Sequence, residues 1–221
     1  MAAAHGLVTV WLHVPPEREE EFNDWYNLEH IAQIVNIPGF TCGRRYATDQ
    51  QVPKYLAWYE AIDEHVEPGP GFRHAVDHPT PWSLRMRRFY GENRFRNNYR
   101  LSSAFGAAPG PDASWLYLVQ TDCADPAQAE EFDDWYDHEH LPALAQVPGV
   151  VRARRYIAVS GAPKSLAAFE LAAREVYASP AWLAARETPR TARMRRLFSN
   201  ARRAIYRLIL PTVLPGSPPL P

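Results

Sequence analysis

Two Glu-His dipeptides, Glu29-His30 and Glu139-His140, are the groups in this chain best suited to proton transfer. An imidazole has an ordinary pKa of about 6.5 and changes charge near neutral pH. A carboxylate taken out of water without a partner responds with a raised pKa, the condition for a general acid or base. Around the pairs stand Trp25 and Tyr26 in one case, Trp135 and Tyr136 in the other, and a strand arginine follows each, Arg45 and Arg155. Such a set can remove a proton beside a carbonyl. His30 or His140 would be the acid/base, Glu29 or Glu139 would orient it or raise its basicity, and Arg45 or Arg155 would stabilise the developing enolate oxygen. The tyrosines and tryptophans would line the substrate.

Each role has an architectural counterpart. Glu29 can be tied to Arg45 and Glu139 to Arg155 as buried structural pairs, the histidines can be held by the last carbonyls of a helix, and the aromatics can be core. One histidine per pair is too few for zinc or iron, and His138 and His140 would point to different helix faces, so no metal is expected. No Gly-rich phosphate loop, Ser nucleophile elbow or Cys-His pair at motif spacing is present.

The elements that must position these residues are duplicated. Glu20-Glu21-Phe22-Asn23-Asp24-Trp25-Tyr26-Asn27-Leu28-Glu29-His30 returns as Glu130-Glu131-Phe132-Asp133-Asp134-Trp135-Tyr136-Asp137-His138-Glu139-His140, 110 positions on. Pro38-Gly39, Arg44-Arg45-Tyr46 and Pro53-Lys54 recur as Pro148-Gly149, Arg154-Arg155-Tyr156 and Pro163-Lys164 in the same register. A period of that length is a domain and not a solenoid repeat. Residues 7–14 read as a buried strand ended by Pro15-Pro16. Glu17, Glu19, Glu20 and Glu21 then load the start of a helix with acid, and Asp125, Pro126 and Gln128 supply the second copy with a cap. On that helix the aromatics flank the glutamate on the sheet-facing side. Pro142 is expected to kink or end it in the second copy.

Residues 40–48 with 54–62, and 150–159 with 164–171, read as hairpins. A second helix follows, short or broken in the first copy. Residues 84–90 and 193–198 read as the last strands, which are expected to run long, towards Tyr99 and Ile205. There Arg85, Arg87, Arg88 and Arg193, Arg195, Arg196 form a solvated edge, the alternative being that one of them binds a carboxylate or phenolate. Each half is therefore β-α-β-β-α-β, an α+β fold of two tandem ferredoxin-like units: residues 1–101, a linker at 102–112, residues 113–209, and a Pro-rich tail at 210–221. Trp58 in the first copy is Ala168 in the second, which places the expected pocket in the second half.

The formal net charge of −1 and pI near 6.7 provide no global attraction to nucleic acid or an anionic membrane. Cys42 and Cys123 lie at non-equivalent places and form no ligand or disulfide pattern, and the N-terminus resembles neither a signal peptide nor a span, so a cytoplasmic protein is expected. The positive charge is almost all arginine, the only lysines being Lys54 and Lys164, which suits a GC-rich bacterial genome.

The motif acidic-Phe-x-Asp-Trp-Tyr-x-x-Glu-His, followed by Pro-Gly and Arg-Arg-Tyr, resembles the EthD-like proteins of the dimeric α+β barrel superfamily, over residues 6–95 and 113–205. That resemblance implies two ferredoxin-like sheets set face to face as a barrel, here supplied by one chain, with His30 and His140 on the motif histidine of the family's pocket. It also implies functions, since relatives include cofactor-free enzymes on aromatic or polyketide compounds and haem-handling proteins. The leading expectation is a cofactor-independent lyase or isomerase on a small aromatic, polyketide-like or unsaturated carbonyl compound. The alternatives are a binding protein for haem or another planar hydrophobic ligand, and a barrel whose duplicated unit is structural. Closure within one chain removes the need for a homodimer without forbidding it.

Overall fold

The computed structural model describes residues 4–50, 53–90, 94–106 and 113–217. The chain divides into two compact units, Met1–Arg100 with Ile209–Pro221, and Leu101–Leu208. In the first, β1 (Gly6–Leu12) lies between β3 (Tyr55–Ala61) and β4 (Arg94–Gly106), and β2 (Phe40–Ala47) flanks β3, all antiparallel. In the second, β5 (Trp115–Cys123) lies between β7 (Ser165–Leu171) and β8 (Phe198–Val213), with β6 (Val150–Ser160) flanking β7. The hydrogen-bonding order β1-β3-β2-β8-β5-β7-β6-β4 is that of a closed barrel, the expected mixed α+β fold. No helix among the described residues is long and apolar enough to cross a membrane.

The first helical run of each unit is interrupted at the motif. α1 (Glu19–Trp25) passes through a π-helical turn at Tyr26–His30 into α2 (Ile31–Val35), where Ile31 N–H reaches back to the Tyr26 carbonyl. The sequence repeat reproduces it: α5 (Ala129–Trp135), a π turn at Tyr136–His140, and α6 (Leu141–Ala145), with Leu141 N–H on the Tyr136 carbonyl. Pro142 therefore does not end the helix, and it does not cause the widened turn either, because the first copy has the turn with Ala32 in that place. Such turns redirect side chains relative to a regular helix and recur at functional sites. Phe22, Trp25, Tyr26, Ile31 and Ile34 bury their faces against Val8, Ala57 and Tyr59; Phe132, Trp135, Tyr136, Leu141 and Leu144 do so against Val119, Ala167 and Phe169.

Four expectations are corrected. Residues 84–90 are helical, in α4 (Pro81–Tyr90), which follows α3 (Pro70–Asp77). Residues 193–197 likewise fall in α8 (Pro189–Met194) and a 3₁₀ turn, after α7 (Pro180–Ala185); the last strands are present in the expected continuation towards Tyr99 and Ile205, beginning only at Arg94 and Phe198. The apolar-arginine alternation that reads as a strand is also compatible with a helix, and capping decides: Thr188 Oγ1 accepts from Thr191 N and Thr80 Oγ1 from Ser83 N, each just before a proline at the helix start. The second helical region is thus broken in both copies. Ser102–Gly106 continues β4 where a linker is expected, residues 107–112 of that linker lying outside the described residues. Pro211 lies inside β8, carried there by the buried Leu210 and Val213.

The Pro-Gly turns close tightly. Gly149 has φ +91°, and a Cβ there would stand 2.6 Å from Val176 Cγ2. Gly149→Ala is expected to lower stability by about 1–3 kcal/mol through positive-φ strain and overpacking. An unchanged urea midpoint would show that the turn adjusts freely.

Candidate active site

The structure uses the motif glutamates as cap anchors. Thr80 Oγ1 donates to Glu29 Oε1 at 2.6 Å, and Thr188 Oγ1 to Glu139 Oε1 at 2.7 Å, so each carboxylate holds the threonine that starts α4 or α8. Arg190 lies 3.5 Å from Glu139. The expected Glu29–Arg45 and Glu139–Arg155 pairs do not form. Arg45 donates to Asn27 Oδ1 and, at 2.8 Å, to Asn23 Oδ1, while Arg155 bonds Asp133 and, at 3.1 Å, Asp137. The glutamates are taken up by Thr80 and Thr188, and the arginines by polar residues of α1 and α5 and of the π turns, with each guanidinium resting on a tyrosine ring, Arg45 4.3 Å from the Tyr26 centroid and Arg155 4.9 Å from that of Tyr136.

The tryptophans form the bed of the site. Trp25 Nε1 donates to Ser83 Oγ at 3.2 Å and Trp135 Nε1 to Thr191 Oγ1 at 3.1 Å, and both rings are fully buried. His30 stacks on Trp25 at 4.3 Å and His140 on Trp135 at 4.5 Å, each ring edge-on to the neighbouring tyrosine. The Nδ1 of both histidines is buried with no hydrogen-bond partner among the described residues. Burial lowers both pKa values to about 3, and nearby arginines reinforce this, so each ring is a neutral imidazole at pH 7.

In the second unit His140 lines a cavity of about 270 Å³ together with Tyr136, Tyr117, Phe169, Trp182 and Phe198. The matching space beside His30 is about 60 Å³. Position 168 is not what opens it. Ala168 does not line the cavity, which faces its neighbour Phe169, and alternation places the two on opposite faces of β7. Other exchanges matter. Tyr59 Oη donates to Tyr26 Oη at 3.1 Å in the first unit, whereas Phe169 stands at the equivalent place in the second and offers the Tyr136 hydroxyl no such partner. His30 is hydrogen-bonded by Gln33, and the corresponding residue near His140 is Ala143. Val76 is replaced by Arg186 at the rim.

Arg186, Arg195 and Arg203 all line this cavity. Arg186 and Arg195 share Glu187 at 3.0 and 2.9 Å, and Arg203 has no carboxylate partner among the described residues. The cavity rim is therefore cationic above an aromatic floor. Arg155 lies elsewhere, on a different cavity of the same unit. Sequence reasoning names Arg195 only as part of a charged strand and misses Arg186 and Arg203. The signal for Arg186 is the Val76 exchange within the repeat.

No protein-family model and no curated protein matches the chain. Solved structures do. An anthrone oxidase-like protein is similar over 97% of this chain and 95% of its own, with TM-score 0.66 and 14% identity. A candidate monooxygenase of Fusobacterium nucleatum subsp. nucleatum is similar over 100% and 99%, at TM-score 0.64 and 11% identity. A candidate chlorite dismutase is similar over 94% and 96%, at 0.59 and 13%. At these identities the likeness shows the fold alone, an α+β barrel.

Proposed function

We propose that the second unit is a small-molecule active site in which neutral His140 takes a proton from an aromatic, polyketide-like or unsaturated carbonyl compound, without a cofactor. The observation that carries this reading is the asymmetry of the repeat: the same histidine that is bonded by Gln33 over a 60 Å³ space in one unit has no hydrogen-bond partner among the described residues and lines a 270 Å³ cavity in the other. The neutral imidazole has its lone pair available at pH 7, and a substrate carboxylate, phenolate or developing enolate beside it would raise its basicity from the depressed value of about 3. Arg203, with Arg186 and Arg195, takes the stabilising role assigned in sequence to Arg155, facing a carboxylate, phenolate or developing enolate. The Tyr136 hydroxyl donates to a substrate oxygen, its own ionisation disfavoured by burial. Glu139 acts at one remove by fixing Thr188 and hence the start of α8, the helix that leads into Arg195.

The enolate so formed can be reprotonated elsewhere, lose a leaving group or close a ring, which makes the enzyme a lyase or isomerase of the EthD-like kind. The anthrone oxidase-like fold neighbour supports the aromatic-ketone side of this assignment. In a screen of enolisable aromatic ketones, His140→Ala is expected to lower kcat/KM at least about 100-fold, with His30→Ala near the parent. Equal effects of the two substitutions, or none from His140→Ala, would overturn the assignment. Arg203→Ala is expected to raise KM for carboxylate-bearing substrates about 10-fold more than for their neutral analogues, read from paired kinetics.

The second reading is a binding protein for haem or another planar hydrophobic ligand, favoured by the haem-handling members of the resembled superfamily. A cavity of 270 Å³ suits a two- or three-ring molecule and must widen for a macrocycle. A haem titration that yields no saturable shift of the Soret band from that of free haem removes the haem version.

A further inference from the structure

The second unit holds another cavity, of about 200 Å³, lined by Phe132, Arg155, Lys164, Ser165, Ala129 and Asp133 among others. The first unit shows what belongs there. Ser165 corresponds to Tyr55 by the ladders, each standing opposite the last residue of the strand pairing on its outer side, Ala47 for Tyr55 and Ile157 for Ser165. Tyr55 is buried, its ring centroid 5.0 Å from Phe22, with Arg45 and Lys54 at 5.6 and 5.5 Å from the ring centre. Its hydroxyl accepts from Asn23 Nδ2 at 3.2 Å. Of the residues around Tyr55, Phe22, Arg45 and Lys54 recur unchanged in type as Phe132, Arg155 and Lys164, Asn23 has become Asp133, and Ser165 supplies no phenol.

Two further exchanges follow the same direction. Glu19, which holds Lys54 at 2.8 Å, becomes Ala129, so the Lys164 ammonium has no carboxylate partner among the described residues. Asn23 becomes Asp133, whose Oδ1 takes Arg155 and whose Oδ2 is left to accept. The mutual polarity thus reverses: in the first unit the phenol oxygen accepts from an amide, and in the second a carboxylate oxygen is offered to a phenol O–H.

We propose that this cavity is a second ligand site, separate from the His140 cavity, that takes a small phenol or the phenolic end of a larger molecule. The ring would lie against Phe132 and under Arg155 and Lys164, as the Tyr55 ring lies in the first unit, with its hydroxyl donating to Asp133. Cavities of about 150 Å³ are large enough to admit a single aromatic ring. The cationic ring neighbours favour an electron-rich π face, and the carboxylate favours a hydroxyl over a methyl group.

The test is a titration of the full chain with p-cresol, which is the tyrosine side chain as a free molecule, followed by calorimetry and by thermal unfolding. Saturable 1:1 binding is expected at the Ser165 site, at least 10-fold tighter than toluene, together with a rise in Tm. Ser165→Tyr refills the slot and should abolish that binding while keeping the fold. Asp133→Asn should reduce the preference for cresol over toluene. Tyr55→Ser should create a second site, raising the stoichiometry from one to two; should that variant not fold, Ser165→Tyr alone decides the question. Binding that survives Ser165→Tyr, or no saturable binding by the parent protein, overturns the proposal. Neither result bears on His140, whose own test is turnover.

Discussion

Folded stability is expected to fall by about 4 kcal/mol between pH 7 and pH 5, at most about 2 kcal/mol from each motif histidine. His30 and His140 titrate near pH 3 in the folded protein and near 6.5 when unfolded. Below pH 6.5 the unfolded chain therefore binds protons that the folded chain refuses. Stability rises with pH wherever the unfolded state holds more protons, so the loss begins at pH 6.5, deepens down to about 3, and then stops as the folded rings protonate too. The carboxylates with depressed pKa, Asp125, Asp134 and Glu187, act in the same direction but only as pH falls below their ordinary range near 4. The window from 6.5 to 5 thus isolates the histidines. Urea denaturation across it should show the slope, and the double variant His30→Gln His140→Gln should flatten it. A parent curve already flat from pH 7 to 5 would mean that the rings reach solvent and are not held neutral by burial.

The barrel fold is legible because the duplication writes the same pattern twice. Alternating apolar strands, Pro-Gly turns and an acid-loaded helix start agree in both copies, so local errors in one are corrected by the other. The site is less legible for reasons of backbone geometry. A helical wheel assumes a regular helix, and the π turn at Tyr26–His30 and Tyr136–His140 breaks that assumption where direction matters most. Glu29 and Glu139 consequently meet Thr80 and Thr188, residues of a later helix, and the motif gives no hint of that pairing. Arg87 and Arg195 read as strand residues because helix and strand patterns overlap over six residues, and in helical segments they reach the cavities instead. What does carry information is difference within the repeat. Gln33 to Ala143, Tyr59 to Phe169 and Val76 to Arg186 are all visible in the sequence, but without the fold they do not stand out from Trp58 to Ala168, which lies on the opposite face of the sheet.

Trp135→Ala is expected to cost about 3–5 kcal/mol, the range for deleting a buried large side chain that leaves a cavity. Trp135 is fully buried between Phe132, Tyr136, His140 and Phe198 and fixes α8 through Thr191. Its loss removes ring packing and also leaves the Thr191 hydroxyl with Thr188 alone. With about 2–4 °C per kcal/mol in a chain of this size, the fall in Tm should be on the order of 10 °C. Trp135→Phe keeps most of the packing and loses the N–H, so its cost should be about 1–3 kcal/mol. Thr191→Val in the Trp135→Phe background should then add less than it does alone, because the bond it breaks is already gone. The same substitution reports on His140. The imidazole stays neutral because Trp135 and its neighbours keep water from one face, so removing the indole should move the His140 pKa upward from about 3 towards 6.5 and leave His30 where it was. If NMR titration of Trp135→Ala found His140 unmoved, the indole would be a core residue only, and the source of the depressed pKa would have to be sought among Arg186 and Arg195.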